Sequence, residues 1–193
     1  MKLYTDHKQV ILASSSETRI NYLKQLFGRV RVVRHKVNEK KIKDEFIEKN
    51  FTDLVRLLAK KKAESVMEDF SENIIIGSDQ ILVCERKLIN KSKNLSDAKE
   101  KLMNLRGKTH TLISSLYVIK NKKFYFEETK KAEMFFKRVP QKKIDDYLNE
   151  QNKEVLKSVG SYKIEDNNKY NFLKILKGDY ETIIGFPLKN FIK

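Results

Sequence analysis

A glycine, a hydroxyl, a carboxylate and an amide follow one another at Gly77-Ser78-Asp79-Gln80, directly after the β-branched run Ile74-Ile75-Ile76. Layered α/β proteins keep reactive groups at the carboxyl ends of buried strands. The glycine lets a second backbone or a ligand come close. Asp79 could there hold a divalent cation against a polyphosphate, or take a proton from water. A second group, Ser14-Ser15-Ser16-Glu17-Thr18-Arg19, lies between an apolar run and a helical pattern. Unpaired N–H groups and a partial positive charge at a helix start favour anionic oxygens. Three hydroxyls and Arg19 add donors suited to a chain of phosphates. Lys62, at the edge of an apolar helical stripe, and Lys91, after a hairpin, are compact cations that could neutralise such a chain. Glu39, just past the second apolar run, could join Asp79 on a metal. Each signal is weak alone: serines cap helices, aspartates sit in turns, and most of 41 Lys and Arg must face water.

Other chemistries find little support. The chain has no P-loop and no glycine-rich dinucleotide fingerprint, and its three histidines are too far apart to suggest a zinc site. His110, after Gly107-Lys108-Thr109, could begin a strand or reach a ligand, and the structural reading is the better supported.

The elements that must position these residues alternate between short β-rich runs and longer helical patterns, the signature of a layered α/β protein. Val10-Ile11-Leu12-Ala13 suits a buried strand, and Ser14-Ser15-Ser16 offers cap hydroxyls to a helix with Ile20, Leu23 and Phe27 on one face. Val30 to Val33 offers a second strand. Thr52 can cap a helix striped by Val55, Ala59, Ala63, Val66 and Phe70. Ile74–Ile76 is a central strand ending at Asp79, followed by a hairpin of Ile81–Cys84 and Lys87–Ile89 about Glu85-Arg86. Ser96 opens a helix that turns Ala98, Leu102 and Leu105 inward and stops at Gly107. Thr111–Ile119 and Phe124–Phe136 read as strands turning at Asn121-Lys122. Pro140 starts a helix with Ile144 and Leu148 inside. The last part reads as two strands about Asp166-Asn167-Asn168, then a closing helix from Pro187.

At 193 residues, without repeats or Gly/Pro/Ser linkers, a single domain over 1–193 is expected. The net charge of +15 is spread along the chain rather than gathered in one arm. It permits an anionic substrate without pointing to nucleic acid as a partner. Cys84 is the only cysteine, so neither an internal disulfide nor a cysteine zinc cluster is open to the chain. No run approaches the roughly 18 to 20 apolar residues of a membrane span, and MKLYTDHKQV lacks the apolar stretch of a signal peptide. A reduced, cytoplasmic setting away from membranes is expected.

Taken in order, these segments resemble the Maf-like nucleoside triphosphate pyrophosphatases. Leu12-Ala13-Ser14-Ser15-Ser16-Glu17-Thr18-Arg19 stands in the place of the family's opening leucine-alanine-serine-x-serine-proline-arginine-arginine. Leu58-Ala59-Lys60-Lys61-Lys62-Ala63, Ile76-Gly77-Ser78-Asp79, Lys91, and Gly107-Lys108-Thr109-His110 match its later motifs. Gly160-Ser161-Tyr162, Gly178-Asp179-Tyr180 and Ile184-Gly185-Phe186-Pro187-Leu188 resemble its closing ones. The resemblance covers nearly the whole chain. It implies an elongated, twisted mixed β-sheet flanked by helices, with two lobes and a central cleft. It also implies hydrolysis of a nucleoside triphosphate to the monophosphate and pyrophosphate, with a divalent metal cation (Mg²⁺, Mn²⁺ or Co²⁺). By that pattern Asp79 activates water, Glu39 and Asp79 bind metal, and Ser14, Ser16, Arg19, Lys62 and Lys91 surround the phosphates. Homodimers are common among such relatives, although no interface patch is visible in the sequence.

The resemblance also bears on substrate choice. Members that prefer canonical pyrimidine triphosphates carry threonine after the catalytic aspartate and glutamine in the glycine-alanine-tyrosine segment. Here Gln80 and Glu165 hold those places, a pair that resembles the subgroup acting on 7-methyl-GTP. A carboxylate such as Glu165 has an electrostatic reason to favour a base made cationic by methylation. Thr18, in place of an arginine that varies with preference, leaves the choice open. Glu17 replaces proline, and Asn90-Lys91-Ser92 replaces glycine-lysine-proline, loosening that turn while keeping its lysine. The alternative is a nucleotide- or nucleic-acid-binding regulator of cell division with little or no catalysis.

Overall fold

The computed structural model describes residues 9–46 and 50–192. Its first apolar run is β1 (Val10–Ala13), buried along its whole length. It leads to α1 (Glu17–Leu26), which buries Leu23 and leaves Ile20 and Phe27 partly covered. After β2 (Val30–Val32) come two helices begun by asparagine. Asn38 accepts from Lys41 N to cap α2 (Glu39–Glu45), and Asn50 accepts from Thr52 N to cap α3 (Phe51–Glu64). The cap of α3 is therefore Asn50 rather than Thr52, which lies in the first turn. Leu54, Val55, Leu58, Ala59, Lys62 and Ala63 form the buried face of α3. Covering each large apolar side chain of such a face contributes roughly 1.5–3 kcal/mol.

A single 3-10 turn at Glu68–Phe70 precedes β3 (Ile74–Cys84). This strand does not stop at Asp79; it runs on to the hairpin with β4 (Lys87–Ile89). Glu85 and Arg86 both take positive φ at that turn, as a two-residue hairpin requires. Then α4 (Leu95–Leu105), capped by Asn94 rather than Ser96, buries Ala98, Leu102 and Leu105. Gly107, at φ +70, ends it. The long strands β5 (Thr109–Lys120) and β6 (Lys123–Phe136) turn at Asn121 and Lys122, as the spacing suggests. Next, α5 (Gln141–Gln151) follows Pro140 and buries Ile144, Tyr147 and Leu148.

The last part departs from expectation. Instead of a hairpin about Asp166, that residue precedes α6 (Asn167–Tyr170), and among the described residues one strand follows, β7 (Leu173–Lys177). Aspartate suits a helix start as well as a strand turn, and Tyr170 gains burial from the helical choice. The short α7 (Tyr180–Ile183) comes next. No helix opens at Pro187: Phe186 N bonds to Glu181 O and Leu188 N to Phe186 O, closing turns that bury Phe186 and Leu188.

Among the described residues the strands form one seven-stranded sheet ordered β2-β1-β3-β5-β6-β7, with β4 on β3. Parallel pairs (β1 with β2 and β3) and antiparallel pairs (β3 with β4, β6 with β7) make it a mixed sheet, flanked by helices as expected. The chain divides into two compact units. One comprises the chain up to Gln80, Ser114–Lys130 and the segment from Tyr180; the other is Ile81–Ile113 with Lys131–Asp179. In the first, Ala59 and Ala63 of α3 pack with Ile11, Ala13, Ile75, Tyr117 and Ile119. In the second, α4 packs on α5. Phe136, Tyr147, Tyr162, Tyr170 and Phe172 form a chain of ring contacts there. No helix among the described residues is long and apolar enough to cross a membrane.

Candidate active site

Gly77 explains how a lysine reaches the middle of the sheet. A Cβ at this position would lie 2.2 Å from Ala59 O and 2.7 Å from Ala63 N. The backbone of α3 thus rests directly on β3, and only glycine leaves it room. Lys62, next to Ala63 on that face, extends along the strand to Asp79. Its Nζ lies 2.5 Å from Asp79 Oδ1 and 2.8 Å from Glu39 Oε1. Lys62 is 4% and Asp79 5% exposed. A buried ammonium is tolerated only where carboxylates compensate it, and two do so here. Asp79 Oδ2 is buried and has no hydrogen-bond partner among the described residues.

Glu39 is not in an open loop. As the first residue of α2 it also meets His35 Nε2 at 3.3 Å and Lys43 Nζ at 3.7 Å. Burial by itself raises its pKa; the His35 hydrogen bond and the charge and hydrogen bond of Lys62 outweigh this and hold it well below the usual carboxylate range. Arg19 lies inside, donating from Nη1 to Ser78 O at 2.8 Å, while its Nε has no partner among the described residues. Burial lowers its pKa against the opposing pull of Asp79 and Glu39.

The residues flanking Asp79 are held from the other side of the strand. Ser78 Oγ lies 2.9 Å from Ser115 O and 2.8 Å from Gly185 O. Gln80 Nε2 donates toward Ser114 Oγ, Thr182 O and Ile183 O at 3.1, 3.0 and 2.8 Å. The amide is thereby oriented with its nitrogen toward these acceptors. Ser114 and Ser115, both fully buried in the apolar run of β5, escaped the sequence reading; a serine pair inside Leu112–Ile119 was the available signal. His35 was also missed, although it stands four residues before Glu39.

The pairing of Ala13 with Gly77 sets the β1–α1 turn beside this stretch of β3. Ser14 is buried and its Oγ accepts from Ser16 N at 3.2 Å. Ser16 holds the N-cap position of α1 as expected, but its hydroxyl makes no cap hydrogen bond. Thr18 is part-exposed in the first turn. The first unit therefore carries Ser14, Ser16, Thr18, Arg19, Glu39, Lys62, Asp79 and Gln80. Lys91 and Glu165 belong to the second unit, where both are exposed, Lys91 between β4 and α4 and Glu165 just before α6.

Among the described residues no group of three or more His, Cys, Asp or Glu side chains could hold a metal. A magnesium-like ion needs only one or two protein carboxylates, its other ligands being water and phosphate oxygens. Glu39 and Asp79, within reach of one ammonium and with Asp79 Oδ2 unpartnered, fit that donor set.

The sequence matches the Maf-like protein family over residues 9–193. A Pelagibacter ubique protein named nucleoside triphosphate pyrophosphatase is 32% identical, covering 94% of each chain. A Bartonella henselae 7-methyl-GTP pyrophosphatase is 35% identical over 93% of this chain and 90% of its own. A Bacillus anthracis dTTP/UTP pyrophosphatase is 34% identical over 74% and 72%. With the match running through β1, α3, β3 and the residues they position, the chain belongs to the Maf-like protein family.

Proposed function

We propose that this chain is a hydrolase that converts a nucleoside triphosphate to the monophosphate and pyrophosphate, with Asp79 as the base. The observation that carries this reading is the buried Lys62 ammonium shared by Asp79 and Glu39, with Asp79 Oδ2 left unpartnered. Lys62 engages Oδ1, so Oδ2 is the oxygen that takes the proton from water. The water oxygen bonds to the α-phosphorus as the anhydride bond to the β-phosphate breaks, and pyrophosphate leaves with the electron pair. Phosphoryl transfer is mostly positioning and charge neutralisation. Arg19, Lys62 and Lys91 supply the charge, and the hydroxyls of Ser14 and Ser16 supply donors. Glu39 and Asp79 would hold a divalent cation, which supplies further neutralisation of the phosphate oxygens when bound.

The preferred substrate in this reading is 7-methyl-GTP. Gln80, its nitrogen facing the carbonyls of α7, presents its oxygen as an acceptor for a base edge bearing N–H donors. Glu165 supplies a carboxylate for the cationic methylated ring. The relatives' names include both 7-methyl-GTP and dTTP/UTP, so substrate choice rests on this pair of residues.

Pyrophosphate release from 7-methyl-GTP, dTTP, UTP and GTP, each with Mg²⁺, Mn²⁺ or Co²⁺, tests both parts. Asp79→Asn should lower turnover by about 10²- to 10⁴-fold while triphosphate binding persists. Wild-type protein that binds triphosphates yet releases no pyrophosphate would instead be a binding module. Faster turnover of dTTP or UTP than of 7-methyl-GTP would remove the substrate assignment and leave the reaction.

A further inference from the structure

Lys91 lies on a segment with neither the glycine nor the proline of the family's motif, yet that segment is gripped at several atoms. Lys101, on α4, donates from Nζ to Asn90 O at 2.5 Å and to Ser92 Oγ at 2.6 Å, one contact on each side of Lys91. An ammonium only donates, so the Ser92 hydroxyl accepts from it and shares its remaining capacity with Ser161 Oγ at 2.6 Å. The start of the same helix takes hold as well: Lys93 N donates to Asp97 Oδ2 at 2.8 Å, and Asp97 N donates to Asn94 Oδ1 at 2.8 Å.

The anchor at the far end is rigid. Ser161 is fully buried at φ +56, a left-handed conformation that a residue with a β-carbon keeps only where its surroundings impose it. A Cβ on Gly160 would meet the Tyr162 ring at 2.4 Å, and Tyr162 Oη sits 2.5 Å from His110 Nε2 on β5. Ser92 is buried while Lys91 between its two gripped neighbours is exposed. The contacts thus fix the backbone on both sides of an exposed lysine. Serines at 92 and 161 stand where the family's motifs have proline and alanine, so the stiffness of a proline is replaced here by two hydroxyls and an ammonium.

We propose that Lys101, Ser92 and Ser161 form a clasp of positioning residues that holds the Lys91 segment in a fixed course for binding the phosphate chain of the substrate. The clasp rests on the reading of the protein as a triphosphate-binding enzyme, but its mechanical part can be measured without turnover. Bonds that share one hydroxyl reinforce one another, so loss of either end should release the middle.

The test compares wild type with Lys101→Met, Ser161→Ala and the double variant, the alanine being mild enough to leave the fold intact. Hydrogen exchange of peptides covering 90–93 should quicken about tenfold in each single variant while α4 and β5 exchange as before. The Kd for inorganic tripolyphosphate, and KM for the triphosphate turned over, should rise about tenfold with kcat within about twofold. The double variant should be little worse than Lys101→Met, since the two act through one hydroxyl. Unchanged exchange at 90–93 overturns the clasp. Faster exchange with unchanged tripolyphosphate affinity overturns its positioning role, as does exchange quickened throughout the unit. Wild-type protein that binds tripolyphosphate without hydrolysing any nucleotide sinks the enzymatic reading alone, and the affinities still judge the clasp. Wild type that binds no tripolyphosphate sinks both.

Discussion

Lys62 occupies a helical position that a core would ordinarily give to leucine. By composition it is one lysine among many, and its place beside Ala59 and Ala63 was the single sign that it points inward. Removing the ammonium while keeping the bulk, as in Lys62→Met, leaves the buried Asp79 carboxylate and its neighbour Glu39 without their shared cation. Stability should fall by about 3 kcal/mol, read by urea denaturation at pH 7.5. A change below about 1 kcal/mol would mean that the carboxylates are compensated elsewhere. His110 offers a pH test of the same kind. Burial lowers its imidazole from 6.5 to about 4. Between those values the unfolded chain takes up a proton that the folded chain refuses. Its contribution is therefore complete above about pH 6.5 and is lost as pH falls through about 4, roughly 3 kcal/mol in all. Denaturation curves from pH 7.5 to 4.5 should show this decline in wild type and a flatter profile in His110→Gln. Parallel profiles would remove His110 as the cause.

At the scale of elements, β3 carries the most weight because it is where α3 touches the sheet. The Cβ of Gly77→Ala would press on backbone atoms of α3, which cannot turn aside as a side chain can. A loss of about 3 kcal/mol is expected, and a Tm within about 2 °C of wild type would show that α3 can move away. The β-branched run Ile74–Ile76 made this strand legible, and α4 and the two hairpins followed from apolar spacing and turn residues; the stripe that marked α3 ran past its end at Glu64 to Val66 and Phe70, the latter in the 3-10 turn. What spacing does not convey is that the strand continues through Ser78, Asp79 and Gln80. Three polar residues in a row read as an end unless their partners are known. Those partners, Arg19, Lys62, Ser114, Ser115 and Thr182, come from four other parts of the chain. The segment after Gln151 was misjudged for a related reason. Asp166 and Pro187 have local preferences that suit several structures, and burial of Tyr170, Phe186 and Leu188 decided among them. Asp79 and Lys62 were found in the sequence as candidates; their contact belongs to tertiary structure alone.

For the molecule as a whole, a net charge of +15 surrounds any approaching triphosphate with an attractive field. Salt shortens the reach of that field to about 3 Å at 1 M, against about 10 Å at 0.1 M. The kcat/KM for a triphosphate should therefore drop about tenfold between 50 and 500 mM NaCl, mostly through KM. Insensitivity to salt would show that the excess charge has no part in capture. The route of the chain carries a further consequence. It passes between the two compact units after Gln80, Ile113, Lys130 and Asp179, and the first three of those points lie inside β3, β5 and β6. Neither unit corresponds to one uninterrupted stretch of gene. A protease that nicks a surface loop cannot release half of the protein intact. Recombination, likewise, cannot carry either unit to another gene as one continuous segment.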